Sequence, residues 1–458
     1  MKWLKWPALI LGALVAMLAV VPLFISLDDF IPTIEKEVSA RLKEPVKIGS
    51  LRVSGLPLPH VTISGVTVGK TEDIKVGKVS VTPDLWSLLG ATKVIRSVEI
   101  SELVLTQKAI DKIPAWTKGD SKASAPSGSP AAGPPAVRVS SIRLDDAVLK
   151  LQKISFGPFD ARLDLTSDGS PESASIVTRD GRLKALIKPD KAGYLIDVSA
   201  KDWKPPLGPA IHFDELVIKG AATLKDANLG EVRAKLYGGA LTGKLTAGWE
   251  RGIQLKGNAE VSQVEIKSLL LALGRPATLS GRLTAKPVTF TANAPAADQL
   301  MSGLRLETPF DVQNGVLNGV DIKKAATSLI SRDGGKGGET RFDQLSGHLA
   351  LDRGTRRLTQ LNIVSGSLSA DGNVTVSPRD ELSGKVNANV KAASVASASV
   401  PLNVSGTVDS PLLLPTGGTV AGAAAGTAIL GPGFGTSVGA KVGQWTEGLF
   451  GKKEEKKK

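Results

Sequence analysis

Polar and apolar residues alternate along much of the chain, which is the pattern of strands that bury one face of a sheet. Between residues 46 and 105 the alternating apolar pairs are Val46 and Ile48, Leu51 and Val53, Val61 and Ile63, Val66 and Val68, Ile74 and Val76, Val79 and Val81, Val98 and Ile100, and Leu103 and Leu105. Gly, Pro, Asn, Asp or Ser separates most of these pairs. The pattern therefore predicts short half-buried strands joined by tight turns.

The alternation resumes at Val137 and continues as loose repeats of strand, glycine-containing turn and strand. The clearest repeat is a predicted hairpin at 232–247, in which two alternating segments flank Gly238-Gly239. Helical spacing predicts one amphipathic helix at 30–42, ended by Pro45, and shorter helical segments at 83–89, 269–273 and 323–332. The predicted fold class is mainly β, with an elongated, curled antiparallel sheet and a few short helices.

The longest apolar stretch precedes these elements. From Trp6 to Ile25 there are 20 consecutive uncharged residues, which as a helix would span about 30 Å of hydrocarbon. Lys2 and Lys5 precede this stretch, and acidic residues follow it, so the N-terminus is expected in the cytoplasm. The stretch predicts a membrane anchor that includes Trp6, Leu9, Leu14, Leu18 and Ile25.

A cleaved signal peptide is the alternative for the same segment. Signal sequences have an apolar region of about 7–15 residues and end in a small-x-small site. The present stretch is longer, and 20–25 offers no such site. A retained anchor is therefore favoured, and with either alternative the remaining residues are exported.

Composition narrows the function classes. The chain has no cysteine, which excludes disulfides and thiolate chemistry. Of the net charge of +13, two charges precede the apolar stretch, three come from 452–458, and the remaining eight are dispersed. No basic cluster is interleaved with aromatic residues, so a nucleic-acid partner is not expected. The 49 glycines and 4% aromatic residues favour a long β structure over a compact globule.

Composition also suggests six segments. They are the cytoplasmic N-terminus and membrane helix at 1–27, a β region at 28–116, a flexible Pro/Gly/Ser/Ala linker or insertion at 117–136, repeated strands at 137–309, a second β region at 310–410, and a Gly/Ala-rich and Lys-rich tail at 411–458. A second membrane helix in the tail would be broken by Gly431 and Pro432 after about 13 residues, which is too short for a span. A flexible or surface-associated tail is favoured.

Sequence motifs for catalysis are incomplete. Gly435 to Gly439 fits a nucleophile elbow, but no histidine follows it. Gly238 to Lys244 matches part of a phosphate-binding loop, but Leu245 stands where Ser or Thr must bind magnesium. His60, His212 and His348 lack metal-ligand spacing, and Asp145-Asp146 fits a turn better than an acid/base pair. We predict no enzyme activity, no catalytic or metal site and no cofactor.

Several short motifs near both ends of the chain bear on its family and function. They include Ile31-Pro32-Thr33-Ile34-Glu35, Glu44-Pro45-Val46-Lys47-Ile48-Gly49, Val61-Thr62-Ile63-Ser64-Gly65-Val66-Thr67-Val68-Gly69, Gly315-Val316-Leu317-Asn318-Gly319-Val320-Asp321-Ile322 and Leu361-Asn362-Ile363-Val364-Ser365-Gly366-Ser367-Leu368. These motifs resemble the N-terminal and C-terminal regions of AsmA-type proteins of Gram-negative bacteria. The resemblance implies a single inner-membrane anchor, a periplasmic body similar to bridge-like lipid-transfer proteins, and a role in phospholipid transport to, or homeostasis of, the outer membrane.

The strand pattern alone suggests a compatible function. Amphipathic strands without long helices to cover them can curl into an apolar groove, which shields lipid acyl chains from water at about 0.8 kcal/mol per CH₂. The residues predicted to line this groove are Ile48, Val61, Ile63, Val66, Val68, Val79, Val81, Ile100, Leu236, Leu241 and Leu245. Ordinary core packing is the alternative for each of them.

The expected partners are phospholipid, the inner membrane, and a protein of the inner or outer membrane. The main alternative function is a structural scaffold or assembly factor for outer-membrane proteins, with the apolar face filled by the chain's own side chains. A lipid-modifying enzyme would instead need a histidine or paired carboxylates at the groove.

Overall fold

The computed structural model describes residues 27–54, 58–90, 92–117, 137–151, 154–206, 208–296, 299–327, 336–366, 368–392 and 395–417. The predicted membrane anchor up to residue 26, the linker at 118–136 and the tail from 418 lie outside these ranges. Of the helices inside them, none combines the length and apolar character that a membrane span requires.

The described chain is mainly β, as predicted, and divides into two compact units, Met1–Lys201 and Asp202–Lys458. The strands of unit 1 are β1 (Val46–Lys47), β2 (Ser50–Ser54), β3 (His60–Val68), β4 (Ile74–Pro83), β5 (Lys93–Thr106), β6 (Val137–Val139), β7 (Ser141–Leu151), β8 (Ile154–Leu165), β9 (Pro171–Thr178), β10 (Leu183–Asp190) and β11 (Gly193–Trp203), which extends two residues past the boundary. The strands of unit 2 are β12 (Phe213–Ala222), β13 (Asp226–Leu236), β14 (Gly239–Gly248), β15 (Ile253–Glu265), β16 (Leu279–Ala294), β17 (Leu304–Val320), β18 (Lys336–Asp352), β19 (Thr355–Ser365), β20 (Leu368–Val376), β21 (Leu382–Ala392), β22 (Val395–Thr407) and β23 (Ser410–Pro415).

The described helices are few and short. They are α1 (Ile31–Leu42), α2 (Gln107–Thr117), α3 (Ile266–Ala272) and α4 (Ile322–Thr327), with 3₁₀ helices at Asp28–Phe30 and Trp86–Leu89. The amphipathic helix predicted at 30–42 is confirmed by α1. Helix α2 was not predicted and lies at the end of the predicted β region at 28–116.

Neighbouring strands in unit 1 are antiparallel except at one step. Strands β6 and β7 both pair with β5 in parallel, as in the register of Val98 with Ile142. The prediction of a wholly antiparallel sheet is therefore wrong at this point. Parallel neighbours cannot be joined by a tight turn, because the connection must return to the end from which the first strand began. Here the connection contains α2 and the 118–136 segment.

The strands are longer than predicted, because several predicted pairs lie within one strand. Ile63 and Val66 both belong to β3, although their spacing of three interrupts the alternation. The same break recurs between residues 76 and 79, 100 and 103, and 144 and 147. Left-handed backbone at Gly65 (φ 65°), Glu102 (φ 56°) and Asp146 (φ 58°) accompanies it in three of the strands.

These breaks face one another across the sheet. The residues before the break pair together, as do Ile63 and Val79, and so do those after it, as do Val66 and Val76. Apolar residues from both sides of the break join one packed cluster, in which Phe159 and Leu103 are buried. The one-residue shift therefore keeps the apolar side chains on a single face of the sheet.

Helix α1 protects the first edge of the unit 1 sheet. Glu35 and Ser39 accept hydrogen bonds from the backbone N–H groups of Ile48 and Val46, at 2.7 and 2.9 Å. Unpaired strand edges are otherwise ready to pair with another chain. The helix therefore both fixes its own position and closes this edge.

An ionic cluster around the buried Asp73 holds α2 against the turn between β3 and β4. Lys112 Nζ lies 2.6 Å from Glu44 Oε1 and 3.0 Å from Asp73 Oδ2. The hydrogen bond from the Thr71 hydroxyl, followed by that from Lys112, lowers the pKa of the buried Asp73 carboxyl. Hydrogen bonds to Glu44 and Asp73 raise the pKa of Lys112. Both shifts favour the charged forms that bind the helix to the turn.

Unit 2 encloses a sealed core at its C-terminal end. Helix α4 packs against β18, β21, β22 and β23, and β23 also lies against β17. Buried apolar residues from these elements form one cluster, with Val312, Ala388 and Leu402 fully buried. The buried Thr340 hydroxyl donates to the Val320 carbonyl at 2.8 Å and accepts from the Ile322 N–H at 3.0 Å. This bridge fixes the start of α4.

Candidate functional site

Two rows of apolar side chains cross eight strands of unit 1. The first row is Val61, Val81, Val98, Ile142, Leu163, Ala174, Ile187 and Ile196. The second row is Ile63, Val79, Ile100, Leu144, Ala161, Ile176, Ala185 and Val198. Each residue is in register with the next, so all members of a row share one face. With strands about 4.8 Å apart, the rows extend for about 35 Å.

The opposite face carries polar side chains. The register row between the two apolar rows is Thr62, Ser80, Glu99, Arg143, Arg162, Ser175, Leu186 and Asp197. Only Leu186 is apolar, and neighbouring strands are bridged by an ion pair of 3.7 Å between Glu99 and Arg143. The sheet is therefore apolar on one side and polar on the other.

The apolar rows lack the burial that a covering layer would give them. Every one of their side chains is half-buried, and none reaches the burial of Val312 or Leu402 in unit 2. A second layer of helix or strand would bury residues in the middle of both rows. Within the described parts of unit 1, the central face therefore remains open.

One end of this face is closed by packed side chains. Beyond the alternation break, Val76, Leu103, Ala147 and Phe159 are buried in one cluster. The Phe156 and Phe159 rings lie with their centroids 5.3 Å apart. The second row therefore borders this packed cluster and its aromatic rings. The first row lies on the other side of the second row, away from the cluster.

The apolar face of unit 2 is half-buried on β14, whereas Ala285, Val288 and Ala292 of β16 are buried on the same face. Leu241 pairs with Val261, and the half-buried Leu245 pairs with Gly257. The Phe290 ring covers Gly257, where an added Cβ would lie 2.6 Å from the ring. Glycine is required here because the aromatic ring occupies the space of a side chain.

The structure brings together some of the predicted groove residues and separates others. Val61 and Val81 are neighbours in the first row, and Ile63, Val79 and Ile100 are consecutive in the second. Val66 is half-buried and Val68 is buried, and both lie beyond the break in β3. Ile48 lies just after β1, and its backbone N–H donates a hydrogen bond to Glu35. In unit 2, Leu241 and Leu245 are half-buried on one face, whereas Leu236 is buried.

Several row residues were missing from the predicted set. They are Val98, Ile142, Leu144, Leu163, Ile176, Ile187, Ile196 and Val198, with the three alanines of the rows. The same alternation marks most of them in the sequence, for example at Ile142 and Leu144. Register across the parallel step could not be read from that alternation.

A separate groove of about 840 Å³ lies along β14 to β19 of unit 2. Lys244, Asn258, Thr289 and Glu307 line it and are in register with one another. Arg305 and Asp352, which form an ion pair of 3.0 Å, also line it, together with the apolar side chains Leu245, Phe290, Leu306 and Leu351. The lining of this groove is therefore mixed, with both charged and apolar residues.

His60, His212 and Asp146 have local partners. His60 Nδ1 lies 2.9 Å from the Leu58 carbonyl oxygen, and His212 Nε2 lies 3.2 Å from Asp202 Oδ1. Asp146 forms an ion pair of 3.0 Å with Arg179. Within the described ranges, His, Asp and Glu residues nowhere form a group of three or more suited to a metal ion.

Comparison with known proteins identifies no similar protein. No protein-family model, curated protein or solved structure matches the chain.

Proposed function

We propose that this protein is anchored in the bacterial inner membrane by residues 6–25 and binds phospholipid acyl chains on a periplasmic β groove. It would thereby aid lipid transport to, or homeostasis of, the outer membrane without an enzymatic step. The observation that carries the proposal is the pair of apolar rows in unit 1, whose side chains are all half-buried on one face.

The size of the rows fits acyl chains. Soluble proteins rarely expose a contiguous apolar patch larger than a few hundred Å² unless it binds something. One leaflet of a bilayer contributes about 15 Å of hydrocarbon, so rows of about 35 Å could hold two acyl chains end to end. Each buried methylene would contribute about 0.8 kcal/mol.

The sequence supports the membrane side of the proposal. The uncharged stretch from Trp6 to Ile25 has the length of a membrane span, and its flanking charges favour a cytoplasmic N-terminus. The motifs near both ends resemble AsmA-type proteins, for which an elongated, curled lipid-binding sheet is expected. Because the rows bind hydrocarbon, the interaction would be diffuse and tolerant of individual conservative substitutions.

We expect the full chain to accelerate transfer of a fluorescent phospholipid between vesicles. Donor vesicles would contain the protein and the labelled lipid, acceptor vesicles would contain neither, and protein-free donors would give the spontaneous rate. An open apolar face should raise the transfer rate above that rate because it shields the acyl chains during transfer. A folded protein that leaves the spontaneous rate unchanged would instead favour a scaffold with its apolar face covered.

A further inference from the structure

The connection between β4 and β5 presents large apolar side chains to solvent. The exposed fractions are 47% for Leu85, 84% for Trp86 and 86% for Leu89. Three such residues within one short connection form a patch that normally marks an interaction site.

Polar residues hold this connection in shape. Asp84 Oδ1 accepts a hydrogen bond from the Trp86 N–H at 3.0 Å, and the Ser87 hydroxyl donates to the Asp84 carbonyl at 2.7 Å. The Val94 N–H donates to Ser87 Oγ at 2.8 Å, and the Asp84 N–H donates to the Val94 carbonyl at 2.8 Å. The apolar side chains are therefore exposed by an ordered turn.

Two other exposed apolar residues lie at the same strand ends. Leu58, 45% exposed, lies between β2 and β3, and Val137, 62% exposed, pairs with Lys93 at the start of β5. We call Leu58, Leu85, Trp86, Leu89 and Val137 the apolar tip. The connection at 166–170, at the corresponding end of β8 and β9, is instead polar. The apolar residues are thus concentrated at the first strands.

The chain also enters unit 1 near this end. Asp28 Oδ1 accepts a hydrogen bond from the Leu51 N–H at 3.2 Å, and Leu51 lies three residues, about 10 Å, from the end of β2 at Ser54. Helix α1 then runs away from the tip, since Glu35 bonds Ile48 and Ser39 bonds Val46. Asp28, which follows the uncharged stretch in sequence, therefore lies nearer to the tip end of these strands than to their other end.

We infer that the apolar tip inserts into the interfacial layer of the bilayer that holds residues 6–25. Tryptophan is enriched at membrane interfaces, where its ring contacts acyl chains while its N–H reaches polar groups. Insertion would place the first apolar row, whose Val81 lies two residues before the end of β4, beside the bilayer. This inference rests on the proposed membrane anchor and identifies where lipid would pass between the bilayer and the apolar rows.

Single-cysteine labelling of the full chain tests this insertion without background, because the protein has no cysteine. The variants are Leu89→Cys at the tip, Leu14→Cys in the predicted anchor, and Lys70→Cys in the exposed turn at the other end of β3. Each would carry an environment-sensitive nitrobenzoxadiazole label. Each would be reconstituted into phosphatidylcholine and phosphatidylglycerol vesicles, with or without nitroxide-labelled phospholipid.

We expect nitroxide lipid to quench the labels at 89 and 14 but to leave the label at 70 unchanged. Quenching at 14 with none at 89 would overturn the inserted tip while leaving the anchor intact. Absence of quenching at both 14 and 89 would overturn both the anchor and the tip. Equal quenching at 89 and 70 would show that the bilayer does not distinguish the two ends, which also contradicts the inference.

Discussion

Replacing Ile63 with glutamate should reduce phospholipid transfer by the full chain about tenfold or more while leaving the protein folded. Ile63 lies in the second apolar row between Leu51 and Val79, and it is half-buried. A carboxylate at this position would have to be desolvated whenever an acyl chain covered it, which costs more than the about 1–3 kcal/mol of an unpaired neutral polar group. In the lipid-free protein the same carboxylate stays in contact with water. The transfer rate and the melting temperature together measure both effects.

The matched control is Thr62→Glu on the same strand. Thr62 points to the polar face, where its register partners are Arg52 and Ser80. The new carboxylate would meet a cation there, so we expect both transfer and melting temperature to stay near their original values. Equal loss of transfer in the two variants would show that phospholipid transfer does not depend on the apolar face. Unfolding of the Ile63→Glu variant alone would show that this face is a sealed core.

Truncating a leucine to alanine should destabilise unit 2 far more in its sealed core than on its half-buried face. Leu402 is fully buried among β21, β22, β23 and α4, whereas Leu241 is half-buried on β14. Truncating a buried leucine to alanine costs about 2–5 kcal/mol, because a cavity is left. We expect Leu402→Ala to lower the melting temperature by roughly 5–15 °C.

Leu241→Ala is the comparison for this prediction. Truncation of a half-exposed leucine leaves no enclosed cavity, so the loss is about 1 kcal/mol, or roughly 2–4 °C. Calorimetry of both full-length variants measures the difference. Equal shifts would mean that Leu241 is packed as tightly as Leu402, and the open face of unit 2 would be contradicted.

Local patterns predicted the elements that local physics determines. Apolar spacing identified α1, and the hairpin at 232–247 is confirmed by the pairing of Leu236 with Gly239. The turn itself is Tyr237-Gly238, one residue earlier than predicted, with φ of 49° and 72°. Both central residues are left-handed, as a type I′ turn requires, so Gly239 was free to begin the next strand.

Features that depend on pairing between distant strands were not predicted. Separate short strands were expected because the spacing of Ile63 and Val66 breaks the alternation. The break instead lies inside β3, since the facing strands are shifted at the same level. The parallel pairing of β5 with β7 was also missed, because the alternation of a single strand is the same in either direction.

Only part of the predicted groove set lies together in the two apolar rows. Val61, Ile63, Val79, Val81 and Ile100 do form adjacent parts of the two rows. Val68 and Leu236 show the same alternation in sequence and are buried. Whether an apolar strand residue is open or covered depends on what lies over it, and alternation does not contain that information.

On the proposed function, phospholipid and not protein covers the two apolar rows. Photo-crosslinking in living cells tests it most directly, with p-benzoylphenylalanine replacing Ile142 in the first row or, as the control, Arg143 on the polar face. Mass spectrometry of the purified chain would identify each adduct. We predict phospholipid adducts at position 142 and none at position 143. Adducts at position 142 to a protein segment in place of lipid, or no lipid adduct there at all, would contradict the account.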